Sequence, residues 1–224
     1  MRITIHQPEH LPYFGLLDKI NKSDIFVVLD DVQYVKSNFQ NRNKILTKNG
    51  VKWLTIPINK NGRFKTILEQ ETFGDWKVRY KNKVIESYRK YDYFEEGLYL
   101  IESMLSINSN KLLDYNLFYI KQLKESLKIK TEIVLSSSLN VKETSSKRIQ
   151  EICKCFPTTE YIAGPASKNY LNNIDIKIVN HESKFQPYLQ KNSSIFIPML
   201  SSLDIVMSVG LNQLSIMLSN SYTI

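Results

Sequence analysis

Five consecutive apolar residues, Ile25 to Leu29, stand between Ser23-Asp24 and Asp30-Asp31. A run of that length without polar alternation suits a strand buried on both faces, as in the interior of a parallel sheet. A shorter strand pattern, Ile3 to Ile5, lies upstream, and Leu11, Phe14, Leu17 and Ile20 fall between the two at roughly helical spacing. Strand, helix and strand within about 30 residues form a βαβ unit. Dense polar groups follow each strand: His6, Gln7 and His10 after the first, then Asp30, Asp31, Gln33, Tyr34, Lys36, Asn38, Asn41 and Arg42 after the second. Open parallel sheets bind ligands at the carboxyl ends of their strands, so both groups stand where a site is expected.

The same rhythm returns later. TEIVLSSSL, from Thr131, reads as a strand ending in serines, and Ser145 or Ser146 can cap a helix through KRIQEICKCF. EYIAGP reads as a strand ending at Gly164-Pro165, and IKIVN at 176–180 as another. Residues 46–74 read as a β-rich excursion, with a turn at 48–50 and strands at 51–58 and 63–69. Residues 75–128 read as helical, opening at Trp76 behind an Asp75 cap. There Trp76, Tyr80, Tyr88, Tyr91, Tyr93 and Tyr99 are read as packing residues rather than stacking platforms. The final LSSLDIVMSVG suggests a helix from Ser201 or Ser202 to Gly210. The expected fold class is α/β: a mostly parallel sheet with flanking helices, a β-rich excursion and a helical middle insertion. Residues 1–224 form one domain, with 75–128 as a helical sub-domain.

A chain of 224 residues with 42% hydrophobic content can bury a core without staples. Cys153 and Cys155 point in different directions on a helix, which disfavours a disulfide, and two cysteines cannot build a thiolate zinc site. The formal charge is +8. Its basic residues are scattered among acids, which fits a solvated surface or an anionic small-molecule partner better than nucleic acid. No apolar stretch approaches the roughly 20 residues of a membrane span, and the N-terminal apolar run is too short for a signal peptide. No membrane span and a cytoplasmic location are therefore expected. GxGxxG, Walker A, CxxC and GxSxG motifs are all missing.

His6 is the leading candidate base, since a neutral imidazole can accept a proton near neutral pH. Asp30 and Asp31 are candidates for orienting it or for binding a ribose or Mg²⁺, but two carboxylates alone do not specify a metal, and no cofactor is specified either. Gln7, Gln33, Tyr34, Lys36, Asn38, Asn41 and Arg42 offer charge with directed donors, as diphosphate or carboxylate recognition requires. Arg42 is the more specific cation, because a guanidinium gives a bidentate fork. Ser146 and Arg148, at a helix start, can receive phosphate. Gly164, with Ser137, Ser167 and Tyr170, lies near strand ends or turns. Asp204 is expected to pair with a basic residue inside. His6 and His10 also resemble, weakly, the phosphate-holding histidine pair of adenylate-forming α/β enzymes.

The runs IHQPEHLPYFG, DIFVVLDDVQYVKSNFQNRNKI and KWLTIPI resemble the WbqC-like family. The resemblance continues in the Asn116 helix, at YIAGPASKNYL and at LSSLDIVMSVG. It implies a protein encoded among bacterial surface-polysaccharide genes, where amino sugars carry acyl or aminoacyl groups. The expected activity is therefore amide formation on a nucleotide-linked amino sugar, with His6 as general base and an acyl carrier protein or an activated amino acid as donor. A nucleotide-dependent ligase or nucleotidyltransferase and a non-catalytic subunit of a glycan assembly complex are the alternatives.

Overall fold

The computed structural model describes residues 1–59, 65–164, 176–183 and 187–221. The chain begins with β1 (Arg2–His6), α1 (Phe14–Asn21) and β2 (Ile25–Val28), followed by a hairpin of β3 (Arg42–Thr47) and β4 (Gly50–Thr55). Three helices follow, α2 (Lys77–Tyr88), α3 (Phe94–Ser106) and α4 (Leu112–Ser126). Then come β5 (Glu132–Leu135), a 3-10 turn at Ser136–Leu139, α5 (Ser145–Lys154), β6 (Glu160–Ala163), β7 (Lys177–Asn180) and α6 (Ser202–Asn220).

Five strands form one parallel sheet in the order β5-β2-β1-β6-β7. Ile3 lies opposite Ile25, and His6 opposite Val28. Counted along the chain, the parallel strands are ordered 3-2-1-4-5, so the direction of winding reverses beside β1. A constant crossover hand then requires connections on opposite faces before and after the reversal. The cores follow this rule. Phe26 and Val28 share a cluster with α1, α2, α3, α4 and α6, whereas Ile3, Ile5, Ile25 and Val27 pack with Ile149, Ile152 and Cys153 of α5. The middle helices thus join the same core as α1 and α6.

Several boundaries differ from the sequence reading. The first helix begins at Phe14, because the chain bends at Leu11 (φ 45°), where Asn43 Nδ2 binds the carbonyls of His10 and Leu11. The hairpin begins at Arg42, ahead of the expected β-rich section, and the described part of the expected strand at 63–69 makes only an isolated bridge, Thr66 to Gln33. Trp76, not Asp75, occupies the first cap position, and Thr144, not Ser145 or Ser146, the cap of α5; neither makes a side-chain cap bond. Trp76, Tyr80, Tyr88 and Tyr91 are core residues, but Tyr93 and Tyr99 are exposed.

Gly210 interrupts α6 without ending it: its φ of 78° and ψ of 167° are non-helical, and the helix resumes beyond it. Only glycine adopts that conformation readily. A Cβ there would also lie 2.5 Å from Tyr93 Cδ1. Among the described residues α6 alone is long and apolar enough to cross a membrane, contrary to the sequence reading. Half of its apolar window is buried within the fold, against α3 and α1.

Candidate functional site

The reversal between β1 and β6 opens the crevice where α/β sheets of this winding take their ligands. A cavity of about 300 Å³ occupies it. Ile5 and His6 of β1, Gln7 and Glu9 beyond it, Leu29 after β2, Asn38, Phe39 and Gln40 of the following loop, Ile149 of α5 and Tyr161 of β6 form its walls.

His6 Nδ1 lies 2.9 Å from Gln7 O. A carbonyl can only accept, so Nδ1 carries the proton and Nε2 is left as an acceptor. Burial and the charge of Lys19 push the His6 pKa down to about 3, against the effect of the Gln7 bond. The imidazole is therefore neutral throughout the physiological range. Gln40 Nε2 donates to Gln7 Oε1 at 2.7 Å, and Gln40 Oε1 accepts the Val35 N–H at 2.9 Å. Asn38 Oδ1 accepts the Phe39 N–H at 2.8 Å.

The loop forming this wall is held from the core. His10 N–H donates to Phe39 O, and Asn116 Nδ2 donates to Gln40 O. The His10 ring lies 3.0 Å from Asn116 Oδ1 through Nδ1 and 2.6 Å from the Tyr80 hydroxyl through Nε2. Its burial lowers its pKa to about 4. His6 and His10 therefore face different surroundings, one the cavity and the other the core, and do not form a phosphate-holding pair.

Glu9 carries the least satisfied charge in the cavity wall. It is 8% exposed, and among the described residues Oε2 is buried without a hydrogen-bond partner. Burial raises its pKa to about 7, opposed by Lys19. Lys19 is itself buried, which lowers its pKa to about 8 against the attraction of Glu9. No ion pair joins the two among the described residues. A carboxyl poised near neutrality in a crevice can both bind a cation and exchange a proton.

A family model described as the WbqC-like protein family matches residues 7–216. The chain belongs to that family. This WbqC-like chain is also 27% identical over 225 residues to "Uncharacterized protein Rv1507c" of Mycobacterium tuberculosis (strain ATCC 25618 / H37Rv), covering 93% of the chain and 94% of that relative. No solved structure matches it. The family match takes in every residue of the cavity wall from Gln7 onward.

Of the residues singled out in the WbqC-like sequence, His6, Gln7 and Asn38 line the cavity. Asp30 and Asp31 act as clamps between the strand ends. Asp30 is fully buried and accepts from Ser136 Oγ (3.1 Å), Ser137 N–H (3.0 Å) and Ser137 Oγ (2.6 Å). Asp31 accepts from Ser136 Oγ and holds Arg148 Nη2 with both oxygens, at 2.7 and 2.6 Å. Arg148 is thus engaged with a carboxylate. Asn41 ties the Tyr34 hydroxyl to Ile56 O. Arg42 stacks 4.1 Å from the Trp53 ring centroid and donates to Ser37 O, and is not among the residues lining the cavity. Gln33 and Lys36 are exposed, Ser146 is half-buried in the first turn of α5, and Gly164 is half-buried after β6, with nothing among the described residues within 4 Å of where a Cβ would stand. Ser167 and Tyr170 lie outside the described residues.

Asp204 is buried against Tyr88, Tyr188 and Gln190, not a basic residue, and burial lifts its pKa to about 6. His181 meets Asp18 at 2.8 Å, away from the cavity wall. No group of three or more His, Cys, Asp or Glu converges among the described residues to hold a metal. Sequence reasoning passed over Glu9, Lys19, Gln40 and Tyr161. Only Glu9 carried a signal, a lone acid inside the HQPEH motif.

Proposed function

We propose that this WbqC-like protein is a transferase that forms an amide on a nucleotide-linked amino sugar in surface-polysaccharide biosynthesis. The observation that carries the reading is the polar cavity at the winding reversal of a 3-2-1-4-5 parallel sheet, a position suited to nucleotide-linked ligands. The association of WbqC-like genes with clusters that make substituted amino sugars supports the choice of reaction. With an acyl thioester as donor, the amine nitrogen bonds to the carbonyl carbon, the carbon–sulfur bond breaks, and the departing thiolate takes up the proton that the amine releases. His6 Nε2, a fixed acceptor, would orient the amine by accepting its N–H. Its low proton affinity suits a hydrogen-bond acceptor better than a base that keeps the proton.

The strand order also favours a second reading, a nucleotide-dependent ligase or nucleotidyltransferase, since nucleotides occupy the same crevice in doubly wound sheets. Mass spectrometry separates the two. The protein is incubated with UDP- or dTDP-linked amino sugars and acyl thioesters, either coenzyme A-linked or carried by an acyl carrier protein, and separately with ATP and Mg²⁺. The transferase reading expects the sugar to gain the mass of the acyl group, and His6→Ala to slow this by roughly 10-fold, the loss of one orienting hydrogen bond, while folding is retained. Pyrophosphate release dependent on ATP would select the ligase. Turnover unaffected by His6→Ala would contradict the role given to His6, and absence of both reactions would favour a non-catalytic subunit of a glycan assembly complex.

A further inference from the structure

A carboxylate can accept about four hydrogen bonds, and one left buried without a partner is costly to the fold. Glu9 is such a group: more than nine-tenths buried, in the cavity wall, with Oε2 unbonded among the described residues. Lys19 and Tyr13 are its titratable neighbours, and His6 shares the cavity wall with it. His6 presents an acceptor and so cannot donate to it, and Lys19 attracts it from beyond ion-pair range. Gln7 and Asn38 are engaged through their side-chain oxygens and Gln40 through both ends of its amide, and none of the three donates to Glu9. Among the described residues the donors that Oε2 lacks are not supplied by the protein, and a ligand entering the cavity can supply them.

We propose that Glu9 is the recognition residue for a primary amine on the ligand, and that the cavity selects an amino sugar over its hydroxyl and N-acylated counterparts. This rests on the proposed function and names the group that the acceptor must carry. An ammonium offers both charge and three donors, and charge-assisted hydrogen bonds are the strong ones. A hydroxyl offers one donor without charge. An amide offers one donor, no charge and added bulk in a cavity of about 300 Å³. Acylation would therefore abolish the feature by which the substrate was held, which favours product release.

The test is isothermal titration near neutral pH with matched trios: UDP-glucosamine, UDP-glucose and UDP-N-acetylglucosamine, and their dTDP-linked counterparts. The wild type is expected to bind the amine about 10- to 100-fold more tightly than either analogue. Glu9→Gln keeps the shape of the side chain and is expected to lose that preference while still binding the hydroxyl analogue, which also reports that it folds. Equal wild-type affinity for the three ligands of a trio, or an amine preference that persists in Glu9→Gln, would overturn the inference and leave the proposed function standing. Failure of the wild type to bind any member of either trio would overturn both.

Discussion

Replacing Glu9 by Gln should change the pH dependence of stability in a direction fixed by its burial. The Glu9 carboxyl has its pKa raised from 4.5 to about 7, by burial first and against the attraction of Lys19. Between those values the folded protein binds more protons at this site than the unfolded chain, so stability falls as pH rises through the window. From about pH 5 to about pH 7.5 the wild type should lose about 2 kcal/mol through Glu9 alone. Gln does not titrate and escapes this loss. Removing Glu9 also withdraws the attraction that sustains the charge on Lys19, whose pKa is already lowered to about 8 by burial. A lysine with a depressed folded pKa lends stability as pH rises, so this second effect has the same sign. Urea denaturation of both proteins at the two pH values measures the difference. The variant should gain about 2 kcal/mol on the wild type between the lower and the higher pH. A stability gap that stays constant, or that moves against the variant as pH rises, would refute the buried-carboxyl reading.

Other consequences are separable. His10→Phe should fold with a stability loss of about 2 to 5 kcal/mol in denaturant titration, because it leaves Asn116 and Tyr80 without their shared partner. Gly210→Ala should cost about 2 kcal/mol or more, since it combines an unfavourable backbone region with a clash against Tyr93; a neutral result would contradict the helix break. A double-mutant cycle on Asp31→Ala and Arg148→Ala should give a coupling of about 1 to 3 kcal/mol, whereas additive effects would show that the pair is not a clamp.

The parallel sheet was legible because strands buried on both faces leave unbroken apolar runs, as Ile25 to Leu29 does, and because polar residues gather beyond their carboxyl ends. The strand order was not legible. Nothing in residues 160–163 tells that β6 joins β1 rather than an outer edge; that follows from crossover hand and from helices on the far face. Local sequence also hides partners that arrive from a distance. Asp30 and Asp31 look like free carboxylates until Ser136, Ser137 and Arg148 close on them, over separations of 105 to 117 residues. His10 looks like a second site histidine until Tyr80 and Asn116, separated from it by 70 and 106 positions, draw it into the core. Glu9 presents the reverse case, an ordinary acid beside a proline in the sequence, made unusual only when the fold buries it in the cavity wall with the 38–40 loop. The break at Gly210 looked like a helix end, because a glycine signals a stop and the apolar pattern beyond it had to be weighed against that.

Ligand is expected to enter the cavity between β1, the 38–40 loop and β6. Hydrogen exchange read by mass spectrometry, with and without a saturating nucleotide-linked amino sugar, decides whether it does. Slower exchange confined to peptides covering residues 5–10 and 38–40 is the predicted result. Protection centred instead on the basic surface at Lys48, Arg89 and Lys90, or on the outer hollow at Trp53 and Arg79, with residues 5–10 unchanged, would contradict it.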